Sequence, residues 1–221
     1  MADGPSLPSI AKSQDEYMAA LELYEDGYYD QAKKHALKSL EIKENFDALS
    51  LLVDIAIKKG EEAEEYLKKL SELYPSNPET YRTYFRYYFN KDKELALSYI
   101  NRAISIIKNP KYYYDKAKLL FSMDRYLEAL ASVDQAIKME NKNAKYWALR
   151  SEILLKLGRL DDARISGDLS LKLDQNCRDA RIALARLYLA LGDKKEAREI
   201  LSGIVNMEND EEAKKLFDEA F

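Results

Sequence analysis

The chain has 221 residues, 47% hydrophobic and 33% charged, with 7 Gly, 5 Pro, one Cys, one His and 17 Tyr. Charge above the ~25% of an average globular protein, with Gly and Pro far below their usual joint ~12%, favours long helices and argues against all-β and doubly wound folds. A formal net charge of -4 and a pI near 5.4 argue against a general polyanion binder, so no nucleic-acid partner is expected. The single cysteine, Cys177, permits neither an intrachain disulfide nor a multi-cysteine metal site and fits a reducing compartment.

Taken in chain order, residues 1–12 lack the basic start and apolar core of a signal peptide and are expected to form a mobile tail. From residue 13 a helix-turn-helix pattern recurs at a nearly constant interval. Its units are expected over 13–45, 46–76, 77–109, 110–143, 144–177 and 178–210. The marker is an alanine shortly after each turn: Ala32 in the first unit, then Ala96, Ala129, Ala163 and Ala197, the last four at intervals of 33, 34 and 34 residues. Ala63 is read as the marker of the second unit, where Gly60 lies only three residues ahead of it, so that turn must be tighter or its register different. Gly27, Gly60, Gly158 and Gly192 read as inter-helix turns, and Asp124 stands where the fourth unit would have its glycine. Residues 211–221 carry Ala213, Leu216, Phe217 and Ala220 at helical spacing, as a helix closing the apolar end of a repeat stack would. No run of about 18 apolar residues is present, so no membrane partner is expected and a cytoplasmic location is.

The pattern resembles the tetratricopeptide repeat. In the fifth unit Trp147, Ser151 and Leu154 form a large, small, large stripe at i, i+4, i+7, followed by Gly158, Ala163 and Ser170. The first unit repeats it with Ala20, Leu23, Gly27, Tyr29, Ala32 and Ser39, and the sixth with Leu184, Ala185, Tyr188, Gly192 and Ala197. The fourth gives Tyr113, Ala117, Leu120 and Ala129; the third keeps Ala96, Ile100 and Ala103 behind an unusually aromatic first helix. Such a stripe makes one helix face, and the small residues let the paired helix approach. Gly167, where the family has a bulky residue, would leave a gap or admit a neighbouring side chain. The resemblance implies an all-α, right-handed superhelical solenoid of about six units with a C-terminal capping helix.

The residues announce no catalysis and no cofactor. His35, amid Lys33, Lys34 and Ala36, reads as a surface helix residue, and Cys177 as a buried or idle thiol. Adjacent acids such as Glu61 and Glu62 or Asp161 and Asp162 fit helix starts better than a metal site. A non-catalytic scaffold is expected, with self-association through repeat ends as the alternative.

The resemblance implies a ligand peptide in the groove lined by the first helices. By register the groove residues are Tyr17, Leu21 and Tyr24, then Tyr81, Phe85 and Tyr88, then Tyr114, Lys118 and Phe121, then Ala148, Glu152 and Leu155, and finally Ile182, Arg186 and Leu189. Tyr84 and Tyr87 would face their own second helix, although a one-position rotation would exchange parts of these sets. Residues 77–121 hold nine basic and four acidic residues, which points to an acidic peptide with apolar anchors. The Lys and Asn set with which some relatives clamp chaperone tails is missing at these positions.

Overall fold

The computed structural model describes residues 7–205 and 210–221, and every regular element among them is an α-helix. The helices pair as antiparallel hairpins: α1 (Leu7–Glu25) with α2 (Tyr29–Ile42), α3 (Phe46–Lys59) with α4 (Glu64–Leu73), and α5 (Pro78–Tyr88) with α6 (Lys93–Ile106). There follow α7 (Pro110–Ser122) with α8 (Tyr126–Met139), α9 (Ala144–Lys156) with α10 (Leu160–Leu173), α11 (Arg178–Leu191) with α12 (Lys194–Val205), and a last helix, α13 (Glu211–Glu219). They form two compact bodies, Met1–Lys108 and Asn109–Phe221, each a repeat solenoid of stacked hairpins. Residues 7–12, expected in the tail, are the first turns of α1; residues 1–6 lie outside the described residues.

Local chemistry sets the boundaries. The first helices of the second to fifth hairpins start at an asparagine whose side-chain oxygen accepts a backbone N–H: Asn45 from Ala48 (2.8 Å), Asn77 from Glu79 (3.0 Å), Asn109 from Lys111 (2.9 Å) and Asn143 from Lys145 (3.1 Å). Pro78 and Pro110 sit just inside, where a missing N–H costs nothing. Between the paired helices, Gly27, Gly60, Gly158 and Gly192 take positive φ, as does Asp124 at 58°. Each of these turns closes with an N–H bonded to the carbonyl five residues earlier, such as Arg159 to Leu154 at 2.9 Å and Arg125 to Leu120 at 3.0 Å.

Ala32, Ala96, Ala129, Ala163 and Ala197 are fully buried, one turn into the second helix of each hairpin. Ala63 is different: it is the N-cap of α4, and Leu67 bonds back to it. The turn after Gly60 is longer than its counterparts, and α4 has 10 residues against 14 in α2, α6, α8 and α10. Gly167 has the second of its expected roles, since a Cβ there would come within 2.5 Å of the Leu184 side chain of α11. Buried hydroxyls tie helices together, with Ser151 donating to Ala163 O and Ser170 to Ala144 O, both at 2.7 Å. Asp210 caps α13, which lays Ala213, Leu216 and Ala220 against the preceding helices.

Candidate functional site

In the C-terminal body α7, α9 and α11 are neighbours, and with the start of α13 they enclose a cavity of about 220 Å³. Its apolar lining is Tyr114, Ala148, Leu149 and Ile182; its charged lining is Lys118, Lys145, Glu152, Arg178, Asp179, Arg186 and Glu212. Tyr114 packs its ring on Tyr146 with centroids 5.0 Å apart, and burial pushes its phenol well above the ordinary range, so it is a neutral donor and apolar wall. Lys118 lies 5.8 Å from the Tyr114 ring. Neither Lys118 nor Lys145 has a carboxylate partner among the described residues, and both are exposed.

The far wall is a network of ion pairs. Arg186 donates to Glu152 at 2.5 Å and, through its other terminal nitrogen, to Glu212 at 2.5 Å. Arg178 donates to the second oxygen of Glu212 at 2.7 Å and grips Asp210 with two hydrogen bonds. Burial raises the Glu152 carboxyl above the ordinary carboxylate range against the pull of Arg186, and the nearby Glu212 raises it further. Asp210 is held at about 2 by Arg178 and the Ala213 amide.

Of the expected groove residues, Tyr114, Lys118 and Arg186 come together here, as do Ala148, Glu152 and Ile182, whereas Leu155 and Leu189 do not line the cavity. Phe121 turns instead to α8, its ring 5.6 Å from Tyr126. Lys145, Arg178 and Asp179 belong to the same helix faces, one turn ahead of Ala148 and Ile182, and were findable by extending the register. Glu212 had no sequence signal, because it arrives on a helix outside the repeat.

In the N-terminal body Tyr17 and Tyr24 are half-buried on α1, and Tyr24 leans 5.6 Å from Tyr29 of α2. Tyr81 and Phe85, expected in the groove, are each only 4% exposed and face the core. Tyr81 donates to Pro75 O at 2.7 Å with the Arg102 guanidinium over its ring, and Tyr88 stacks on Tyr99 of α6. Tyr84 stacks on Tyr99 at 4.5 Å as expected, but Tyr87 points to the preceding hairpin, with its hydroxyl on Glu62 and Glu64.

The cause is the turn after α5. It has no positive-φ residue, and Asp92 N–H bonds to Tyr88 O, four residues back instead of five. One residue fewer means that counting back from Ala96 lands one position off. Tyr81 thereby takes the place of Trp147 and Arg181, each of which donates to a carbonyl six residues upstream at 2.9 Å. Tyr81, Phe85 and Tyr88 are the core-facing stripe, matching Trp147, Ser151 and Leu154. The groove face of α5 carries Arg82 and Arg86, and Arg86 pairs with Asp54 of α3 at 3.0 Å and donates to Ser50 at 2.9 Å.

Isolated polar residues hold no second site. His35 pairs with Glu16 at 2.8 Å, Cys177 is buried near Ser170, and no metal-binding cluster is present among the described residues. No helix among them is long and apolar enough to cross a membrane.

Hairpins stacked through a large, small, large stripe define a helical-repeat protein. Family models described as tetratricopeptide repeat match residues 114–176 and 169–217, and the chain has the repeat pattern and the solenoid fold of tetratricopeptide-repeat proteins. The fold is similar to that of the Cut9-Hcn1 hetero-tetramer of APC/C (17% identity, TM-score 0.77, 95% of this chain and 43% of that one). It is also similar to PilF of Pseudomonas aeruginosa (17%, 0.73, 95% and 99%) and to YrrB, described as a TPR protein with an unusual peptide-binding site (18%, 0.57, 81% and 96%). The chain thus spans less than half of the first of these, and at such identities the likeness establishes the fold alone. No curated protein matches the sequence. Proteins of this family bind protein partners and are generally non-catalytic, which makes an interaction scaffold the role of the fold.

Proposed function

We propose that the cavity of the C-terminal body binds an extended peptide segment of a protein partner, with acidic side chains against Lys118 and Lys145 and apolar ones over Tyr114, Leu149 and Ile182. The observation that carries this reading is the pairing of an apolar floor with two lysines that lack an internal acid, in a 220 Å³ cavity along three first helices. Unpaired cations above apolar wells steer an acidic ligand and leave burial to supply the affinity. The N-terminal body offers less, since both groove arginines of α5 are already paired, Arg86 with Asp54 and Arg82 with Glu79, and Tyr81 and Phe85 are spent in the core.

The test compares the wild-type chain with a Lys118→Glu, Lys145→Glu variant in capture from a lysate of the native source, with helicity checked by circular dichroism. A protein retained by the wild type and lost by the variant supports the cavity as the site. Equal capture by both moves the site elsewhere, and capture of the chain alone favours self-association.

A further inference from the structure

Among the described residues, Glu212 is the one wall of the cavity that the repeat itself does not supply. It sits on the second residue of α13 and bridges two guanidinium groups of α11, giving one oxygen to Arg186 and the other to Arg178. The anchoring of α13 does not depend on it: Ala213, Leu216 and Ala220 are buried, Asp210 caps the helix, and Arg198 reaches Ala220 O. The Glu212 side chain is 41% exposed and can swing into water by a rotamer change alone. Its present position also sets it beside Glu152, whose carboxyl it pushes towards the protonated form.

The equivalent place in the N-terminal body clarifies its role. There the second nitrogen of Arg86 is satisfied by the neutral hydroxyl of Ser50, on a helix fixed in the core. In the C-terminal body the second nitrogen of Arg186 is satisfied by a detachable carboxylate. We infer that Glu212 is a built-in competitor for the cavity: an acidic side chain of the bound peptide replaces it on Arg178 and Arg186, so that α13 sets the affinity of the site. This inference rests on the peptide-binding reading above and adds how the site is regulated. A tethered carboxylate acts at an effective concentration in the millimolar range, so removing it raises the apparent affinity for any ligand that must displace it.

The probe is a fluorescein-labelled peptide of alternating Glu and Phe, capped at its C-terminus as an amide so that only side-chain carboxylates are offered, with a Gln-for-Glu peptide as control. Glu212→Gln keeps the size of the side chain and removes its charge; Glu199→Gln, on the exposed side of α12, removes the same charge away from the cavity. Fluorescence anisotropy is expected to show the Glu peptide binding about tenfold more tightly to Glu212→Gln than to wild type, with Glu199→Gln unchanged and the Gln peptide indifferent to all three. Equal binding by wild type and Glu212→Gln, or an equal gain in both variants, overturns the inference and leaves the peptide site standing. Absence of Glu-peptide binding to every form removes the peptide reading and the inference with it. Should Glu212→Gln lower the thermal midpoint, Glu212→Asp, which keeps the charge on a shorter arm, is expected to give an intermediate affinity.

Discussion

Asp54 with Arg86 in the N-terminal body, and Glu152 with Arg186 in the C-terminal body, stand at the same places of two successive hairpins. Both acids are raised by burial before their arginine lowers them again. Around the first pair the remaining acceptor is a fixed hydroxyl; around the second it is a carboxylate from α13, beside a cavity that Lys118 and Lys145 also line. The same groove ion pair is thus a closed structural contact in one body and the edge of a cavity in the other. What separates them is what the neighbouring helices bring, which a repeat pattern does not encode.

Truncating the equivalent-looking tyrosines Tyr81 and Tyr114 separates the two bodies most strongly. Tyr81→Ala is expected to destabilise the N-terminal body by about 3–5 kcal/mol, as loss of a buried aromatic does, read as a fall in the denaturant midpoint. Tyr114→Ala is expected to cost about 1–2 kcal/mol in the other body, because part of its ring faces the cavity, and to weaken peptide binding. Equal stability losses with no binding change would erase the distinction. In the C-terminal body Leu184→Ala is expected to cost about 2–4 kcal/mol and Gly167→Ala about 1–3 kcal/mol through overpacking. The double variant is expected to be more stable than the sum predicts, because the new methyl enters the space vacated by Leu184.

A titration sharpens the part played by α13. Asp210 is held at about 2 in the folded chain, below its ordinary value, so its contribution is present above the ordinary carboxyl range and is lost as pH falls towards 2. The protection factors of α13 amides, corrected for intrinsic exchange at each pH, are expected to fall over that acid window and, in Asp210→Asn, to be already lower at neutral pH. Glu152 has the opposite sign: raised in the folded chain, its ionised form opposes folding, and acidification through its folded value relieves that cost. The smallest effect is expected at the turn between α7 and α8, where Asp124→Gly removes positive-φ strain but also the hydrogen bond from Tyr126, for a net change within about 1 kcal/mol.

Much of this fold is legible in the sequence, because five buried alanines and four positive-φ glycines fall where a helical hairpin repeat needs them. The misread places are where a turn changes length. A turn one residue shorter after α5 rotates Tyr81, Phe85 and Tyr88 from groove to core, and a longer one after α3 makes Ala63 a cap. In both, counting from the alanine assumes a constant turn, whereas the i, i+4, i+7 spacing shared by Tyr81, Phe85, Tyr88 and by Trp147, Ser151, Leu154 carries the true register. The cavity was half legible: Tyr114, Lys118 and Arg186 follow from register, whereas Glu212 depends on where a non-repeat helix comes to rest.

The most direct test of the account is hydrogen exchange mass spectrometry with and without the Glu and Phe peptide at saturating concentration. New protection is expected in α7, α9 and α11, with α1, α3 and α5 unchanged. Protection centred on α1, α3 and α5 would overturn the assignment, placing the site in the N-terminal body.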